Sequence, residues 1–154
     1  RRIQQGLSTA DPANAESYRD RADAYVQRLL DLDQEISQIL SEVPPSRRHL
    51  VTYHDAFAHF GDRYGWRTSS LVANDAGGVT PIAITRLQER VRQEGIAAVF
   101  TEPQFRSKVI GLAARDTGVE VGTIYSDVLG GGGGAATYLD MMRLNARNLV
   151  GLLR

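Results

Sequence analysis

The 154 residues amount to about one domain, long enough to bury a core. Lys plus Arg and Asp plus Glu balance at 18 each and form no basic stripe, which argues against nucleic acid as the main partner. Cysteine is absent, excluding structural disulfides and thiolate metal sites, and no apolar run approaches the roughly 20 residues of a membrane span.

The sequence starts at Arg1 with neither an initiator methionine nor an apolar signal segment, so we expect a piece of a longer protein. Ile3 and Leu7 suit the last turns of a helix over 1–10, and Asp11-Pro12 restart the chain as an N-cap with proline at the first helical position. Tyr18, Ala22, Tyr25, Leu29, Leu32, Ile36, Ile39 and Val43 then alternate spacings of four and three, the mark of one apolar helical stripe, which Pro44-Pro45 end. At 1.5 Å per residue this helix would be about 45 Å long, more than a domain of this size covers. Its early part, around Tyr18 and Tyr25, is therefore expected to pack on something outside this chain. A long surface helix of an ordinary bundle is the alternative.

From residue 49 the pattern changes to strands alternating with helices. A strand over 49–53 is followed by a helix over 55–64 with Phe57, Phe60 and Tyr64 inward, closed by Gly65 as a C-cap glycine. A second strand over 68–73 leads to a loop over 74–78, and Thr80-Pro81 open a helix carried by Ile84, Leu87 and Val91 to Gly95. A third strand over 96–100 is almost wholly apolar, as a parallel sheet covered on both faces requires. Pro103 starts a helix with Phe105, Val109 and Leu112 inward, ending at Gly118; a fourth strand covers 119–125. After Ser126-Asp127 and the glycines of 130–134, a last helix has Tyr138, Met142, Leu149 and Leu152 as its apolar side. Short connections between strands and helices imply an α/β fold, a four-stranded parallel sheet with right-handed crossovers and helices on both faces. The expected order is two, one, three, four, with the switch point between the first and third strands.

In a parallel sheet the carboxyl ends of the strands share one edge. There the sequence places His54, Asp75, Glu102 and Asp127, an imidazole with carboxylates, the donor set for a divalent metal such as Zn²⁺, Mn²⁺ or Fe²⁺. His54 at a helix start either binds metal, its ring kept neutral by the helix dipole, or caps the helix. Asp127 and Glu102 could each simply cap the segment that follows, and Asp75 reads as a turn residue. His49 and His59 read as solvated. The glycines of 130–134 are followed by Ala135-Ala136-Thr137, not by the Lys of a Walker loop, so they read as a mobile rim of the site. No Gly-x-Ser-x-Gly elbow or cysteine nucleophile is present, so catalysis is not expected.

Asp11-Pro12-Ala13-Asn14-Ala15 with Tyr18 and Tyr25, Tyr53-His54-Asp55-Ala56-Phe57, Phe100-Thr101-Glu102-Pro103-Gln104-Phe105, Ser126-Asp127, and Tyr138-Leu139-Asp140-Met141-Met142 with Asn145 occur in that order. This combination resembles the C-terminal half of the metal-binding solute receptors of ABC importers, of the ZnuA and TroA type. The resemblance implies two α/β lobes joined by a long rigid helix, with metal buried between them. Residues 1–45 would be the end of a preceding helix plus the linking helix, 46–154 the C-terminal lobe, and the N-terminal lobe would be absent. It implies His54 and Asp127 as metal ligands and Glu102 as an acidic neighbour that supports the site without ligating. Two further histidines would come from the missing lobe, one just before Arg1. The transported metal would be zinc first, because manganese relatives often carry glutamate at the place of His54, then manganese, then iron. The implied partner is the importer permease, the implied location periplasmic or membrane-anchored outside the cell. The uncovered linking helix would drive self-association or a domain swap. A stand-alone flavodoxin-like enzyme, or a phosphate- or nucleotide-binding domain using the glycine loop, is the competing reading.

Overall fold

The computed structural model describes residues 1–72, 81–105, 111, 114, 117–131 and 134–154. Asp75 and its loop, the Thr80 cap, Val109, Leu112 and the middle of the glycine run lie outside the described residues. The chain divides into two units, Arg1–Ile36 and Ser37–Arg154.

The first unit holds α1 (Arg2–Ala10), a single 3-10 turn Pro12–Asn14, and the start of α2 (Ala15–Leu40). The proline does mark a restart, but Asp11 is not a side-chain cap. Its carboxylate instead accepts from Asn14 Nδ2 and Tyr18 Oη, each at 2.8 Å. These bonds hold the Asp11 pKa below the usual carboxylate range, that from Asn14 most strongly, and raise that of Tyr18. An ion pair joins Arg1 to Asp23. With 26 residues, α2 is about 39 Å long at 1.5 Å per residue. It starts and stops three residues inside the expected limits because the turn precedes it and residues 41–43 leave the helix before the prolines.

The second unit carries the parallel sheet β1 (His49–His54), β2 (Arg67–Val72), β3 (Ala98–Thr101) and β4 (Glu120–Thr123), in the order β2-β1-β3-β4. This is the expected order. Between the strands lie α3 (Ala58–Tyr64) and α4 (Pro81–Glu94); residues 111 and 114 are helical, and α5 (Tyr138–Leu153) ends the chain. Alternation along β1 and β3 assigns the two faces. Val51 and Val99 pack with Val91, Ile96, Ala114 and Val119, with Tyr53 and Ile84 partly buried against them. On the other face Phe100 lies under Gly122, where an added Cβ would come within 2.6 Å of the Phe100 ring and 2.7 Å of Leu152 on α5. The two central strands bury residues on both faces, Leu50, Val51, Ala98, Val99 and Phe100 all being buried.

Further details differ from the sequence reading, among them the later start of β3 at Ala98 and the shorter β4, Glu120–Thr123. The first helix of the alternation starts at Ala58, not at 55, leaving 55–57 as a connection in which Ala56 N donates to His54 O at 3.1 Å. Gly65 closes this helix in the left-handed conformation, φ 68°, as expected. The buried face of α5 is Leu139, Met141, Asn145, Ala146, Leu149, Val150 and Leu153. Tyr138 comes immediately after the Thr137 cap and is exposed, while Met142 and Leu152 are only partly covered. His49 is buried, not solvated: Arg67 donates to its Nδ1 at 2.8 Å and Ser69 Oγ lies 2.8 Å from its Nε2. His59 is exposed.

Candidate metal site

Parallel pairing brings the ends of β1, β3 and β4 to one edge. Thr52 is level with Phe100, and Phe100 with Gly122. The residues that leave the sheet next are His54, Glu102 and Tyr125-Ser126-Asp127. His54 is the last residue of β1, and Thr52 Oγ1 donates to its carbonyl at 2.8 Å. Three residues separate it from α3, whose N-cap is Phe57 with no side-chain cap bond. The idea that a helix N-terminus keeps this ring neutral is therefore wrong, as is the idea that His54 caps the helix. Carboxylates and an aromatic ring contact it instead.

Glu102 Oε2 lies 2.6 Å from His54 Nδ1, and Asp127 Oδ2 lies 3.2 Å from Nε2. The first is an ion-pair distance and not an aligned hydrogen bond. The Phe105 ring meets the imidazole edge-on with centroids 4.9 Å apart and stacks on Tyr53 at 4.6 Å, which limits the ring's freedom to turn. The His54 side chain is 12% exposed, that of Glu102 0% and that of Asp127 63%. The three groups thus run from the interior to the solvent, with the imidazole between a buried and an exposed carboxylate.

Burying Glu102 demands donors. Ser126 Oγ donates to Oε2 at 2.6 Å, Gln104 Nε2 reaches the same oxygen at 3.4 Å, and His54 N donates to Oε1 at 3.4 Å. Among the described residues its side chain does not cap the next segment; its carbonyl accepts from Phe105 N at 3.0 Å. Since Oε2 already accepts from Ser126, it meets Nδ1 as an acceptor. On the other side of the ring, Nε2 faces the Asp127 carboxylate. An imidazole nitrogen and a carboxylate oxygen 3.2 Å apart can share a cation, a proton or a metal.

The spacing can be tested against a metal. With bonds near 2.0–2.2 Å and tetrahedral angles, an imidazole nitrogen and a carboxylate oxygen sharing one zinc lie about 3.4 Å apart. The observed 3.2 Å fits that geometry with little movement. Among the described residues no group of three or more His, Cys, Asp or Glu could hold a metal ion.

Two groups that the sequence reading named only within the resemblance, without a role, also act here. Asn145, buried on α5, donates from Nδ2 to Tyr125 O at 2.8 Å and accepts from Tyr125 N at 2.9 Å. This double bond clasps the backbone two residues before Asp127. Its signal was a polar residue in the apolar register of the last helix. Gln104 and Ser126 are the second group, visible only once β3 and β4 are neighbours. In the glycine segment, Gly130 N donates to Ala135 O at 2.9 Å and Ala135 is buried. That amide is already spoken for, which weakens the phosphate-cradle reading.

Comparison with known proteins agrees with the fold. The chain is 33% identical over 151 residues to the manganese-binding lipoprotein MntA of Halalkalibacterium halodurans, covering 96% of this chain and 50% of that protein. It is 30% identical over 146 residues to the iron-binding protein YfeA of Yersinia pestis, covering 92% and 47%. The solved periplasmic zinc-binding protein TroA of Treponema pallidum superposes with a TM-score of 0.90 at 26% identity, covering 98% of this chain and 57% of that one. The chain therefore spans about half the length of the curated relatives it matches. With residues 1–151 matching the family described as zinc-uptake complex component A, periplasmic, the chain belongs to that family of substrate-binding transport proteins, which are not enzymes.

Proposed function

We propose that this chain is the C-terminal lobe, with its linking helix, of a two-lobed receptor that captures a divalent transition metal and delivers it to the permease of an ABC importer. Residues 1–45 are the end of a preceding helix and the linker, and 46–154 are the lobe. A second lobe supplies the remaining ligands, two histidines in this reading. The observation that carries the proposal is the pairing of His54 Nε2 with Asp127 Oδ2 at the carboxyl edge of the sheet, while buried Glu102 faces Nδ1. In this reading His54 and Asp127 ligate and Glu102 orients His54, the carboxylate–histidine–metal arrangement that fixes tautomer and basicity.

The relatives are named for manganese and iron and the superposed structure for zinc, so the names do not choose a metal. An imidazole at His54 favours Zn²⁺, with Mn²⁺ next and Fe²⁺ third. Two ligands alone leave a zinc ion half coordinated, so tight capture belongs to the whole receptor. A location outside the cytoplasmic membrane, periplasmic or lipid-anchored, goes with this reading. No described helix is long and apolar enough to cross a membrane. Self-association through the linking helix finds no support in the comparisons, and the family match sets aside the stand-alone enzyme.

Calorimetric titration of the whole receptor with ZnCl₂ tests the reading. The parent protein is expected to bind one zinc tightly and His54→Ala to lose most of that affinity. Tight binding unchanged in His54→Ala removes His54 from the ligand set.

A further inference from the structure

We propose that Ser126 is a positioning residue that ties the two sides of the cation pair together through a hydrogen-bond chain running from Gln104 through Ser126 to Glu102. This rests on reading His54 and Asp127 as the cation-holding pair. The chain has a defined direction. A serine hydroxyl has one proton, and at 2.6 Å from Glu102 Oε2 that proton goes to the carboxylate. The hydroxyl oxygen then accepts from Gln104 Nε2 at 2.7 Å. Gln104 Oε1 is buried with no hydrogen-bond partner among the described residues. Turning the amide over would set an acceptor against a hydroxyl whose proton is already committed. The orphaned carbonyl oxygen is thus a consequence of aiming the N–H end at Ser126.

The far end of the chain is the imidazole. The oxygen that receives the Ser126 proton is the one 2.6 Å from His54 Nδ1. Each donor polarises the next group, and the Ser126 bond holds the carboxylate beside Nδ1. Nε2, on the opposite side of the ring, faces Asp127. Ser126 also acts along the backbone, because it is bonded directly to Asp127. The Asp127 side chain is mostly exposed, and among the described residues its ion-pair partner is His54. Its position is set by the main chain, through the Asn145 clasp on Tyr125 and the Ser126 bond to Glu102. One hydroxyl thereby orients the His54 ring through Glu102 and registers the Asp127 carboxylate against Nε2.

Thr and Val have the same shape and differ in the hydroxyl, so S126T and S126V isolate its contribution. Zinc affinity of the whole receptor is measured for the parent, S126T, S126V and H54A by competition with a chromophoric chelator. The ¹⁵N shifts of the His54 ring are recorded in the metal-free proteins. S126V is expected to bind zinc roughly tenfold more weakly, at the low end of what losing a partner that orients a ligand costs. S126T is expected to restore most of the loss. The ¹⁵N shifts should report one tautomer, protonated at Nδ1, in the parent and S126T, and a mixture in S126V. Equal losses in S126T and S126V overturn the proposal, since they would mark a need for serine's size and not its hydroxyl. Parent-like affinity in S126V with loss in H54A also overturns it while leaving the metal reading intact. Parent-like affinity in H54A removes both. Should S126V fail to fold, S126A measured against S126T decides in the same way.

Discussion

Replacing Asn145 with alanine should loosen the segment that carries Asp127 and cost the fold measurably. Asn145 is 2% exposed and makes two bonds to one residue, 2.8 Å to Tyr125 O and 2.9 Å to Tyr125 N. Each such bond contributes about 0.5–1.5 kcal/mol net, and a buried donor or acceptor left without a partner costs about 1–3 kcal/mol. Tyr125 is only half-buried, so water can partly replace the lost partner. A total of about 2–4 kcal/mol follows, including the small cavity left on α5. At about 2–4 °C per kcal/mol for a chain of this size, Tm should fall by roughly 5–15 °C. Asn145→Asp keeps the acceptor for Tyr125 N but sets a carboxylate against Tyr125 O, so it should not rescue. Circular-dichroism melts at neutral pH read the change, and zinc titration of the whole receptor should show weaker binding in the same variants. An Asn145→Ala Tm within about 2 °C of the parent would refute the reasoning.

Acid stability should carry the signature of His49. Burial first, then the nearby Arg67 charge, hold its pKa below the ordinary 6.5, with Glu94 opposing and Arg90 adding to the shift. The unfolded chain therefore takes up this proton at a higher pH than the folded one, so the contribution is full above the ordinary value and is lost as the pH falls below it. Urea midpoints between about pH 7.5 and 5 should drop in the parent and drop less in His49→Gln; parallel curves would count against this. Gly122→Ala should destabilise by about 1–3 kcal/mol, because its Cβ would sit 2.6 Å from the Phe100 ring. Gly151→Ala, within α5 and with nothing within 4 Å of its Cβ, should instead stabilise, by about 0.5–1 kcal/mol. Chemical denaturation of the two variants reads opposite signs.

The sheet order was legible because each apolar run is short, bounded and followed by a helical pattern, and the right-handed crossover rule leaves few ways to lay such a chain down. The convergence of His54, Glu102 and Asp127 was legible for the same reason, since strand ends in a parallel sheet share an edge. What escaped depends on partners distant in sequence. His49 follows two arginines and looks solvated, yet Ser69 and Arg67 on β2 hydrogen-bond both of its ring nitrogens. Glu102 reads alone as a cap; Ser126, arriving from beyond β4, and the His54 amide on β1 supply donors that let a carboxylate be buried there. The late start of α3 was hidden because Phe57, Phe60 and Tyr64 keep helical spacing across a boundary where no side chain caps the helix. In the last helix, Tyr138 and Met142 suggested one face. The Thr137 cap, whose Oγ1 accepts from Asp140 N at 3.2 Å, opens the helix with Tyr138 outward instead.

The central claim is that His54 Nε2 and Asp127 hold one cation between them. Anomalous diffraction at the zinc edge from crystals of the zinc-loaded whole receptor addresses it directly. A single strong peak is expected within about 2.0–2.2 Å of both His54 Nε2 and an Asp127 carboxylate oxygen, with Glu102 still on the Nδ1 side. A zinc peak bonded to Glu102, or one that leaves His54 outside bonding distance, would contradict it.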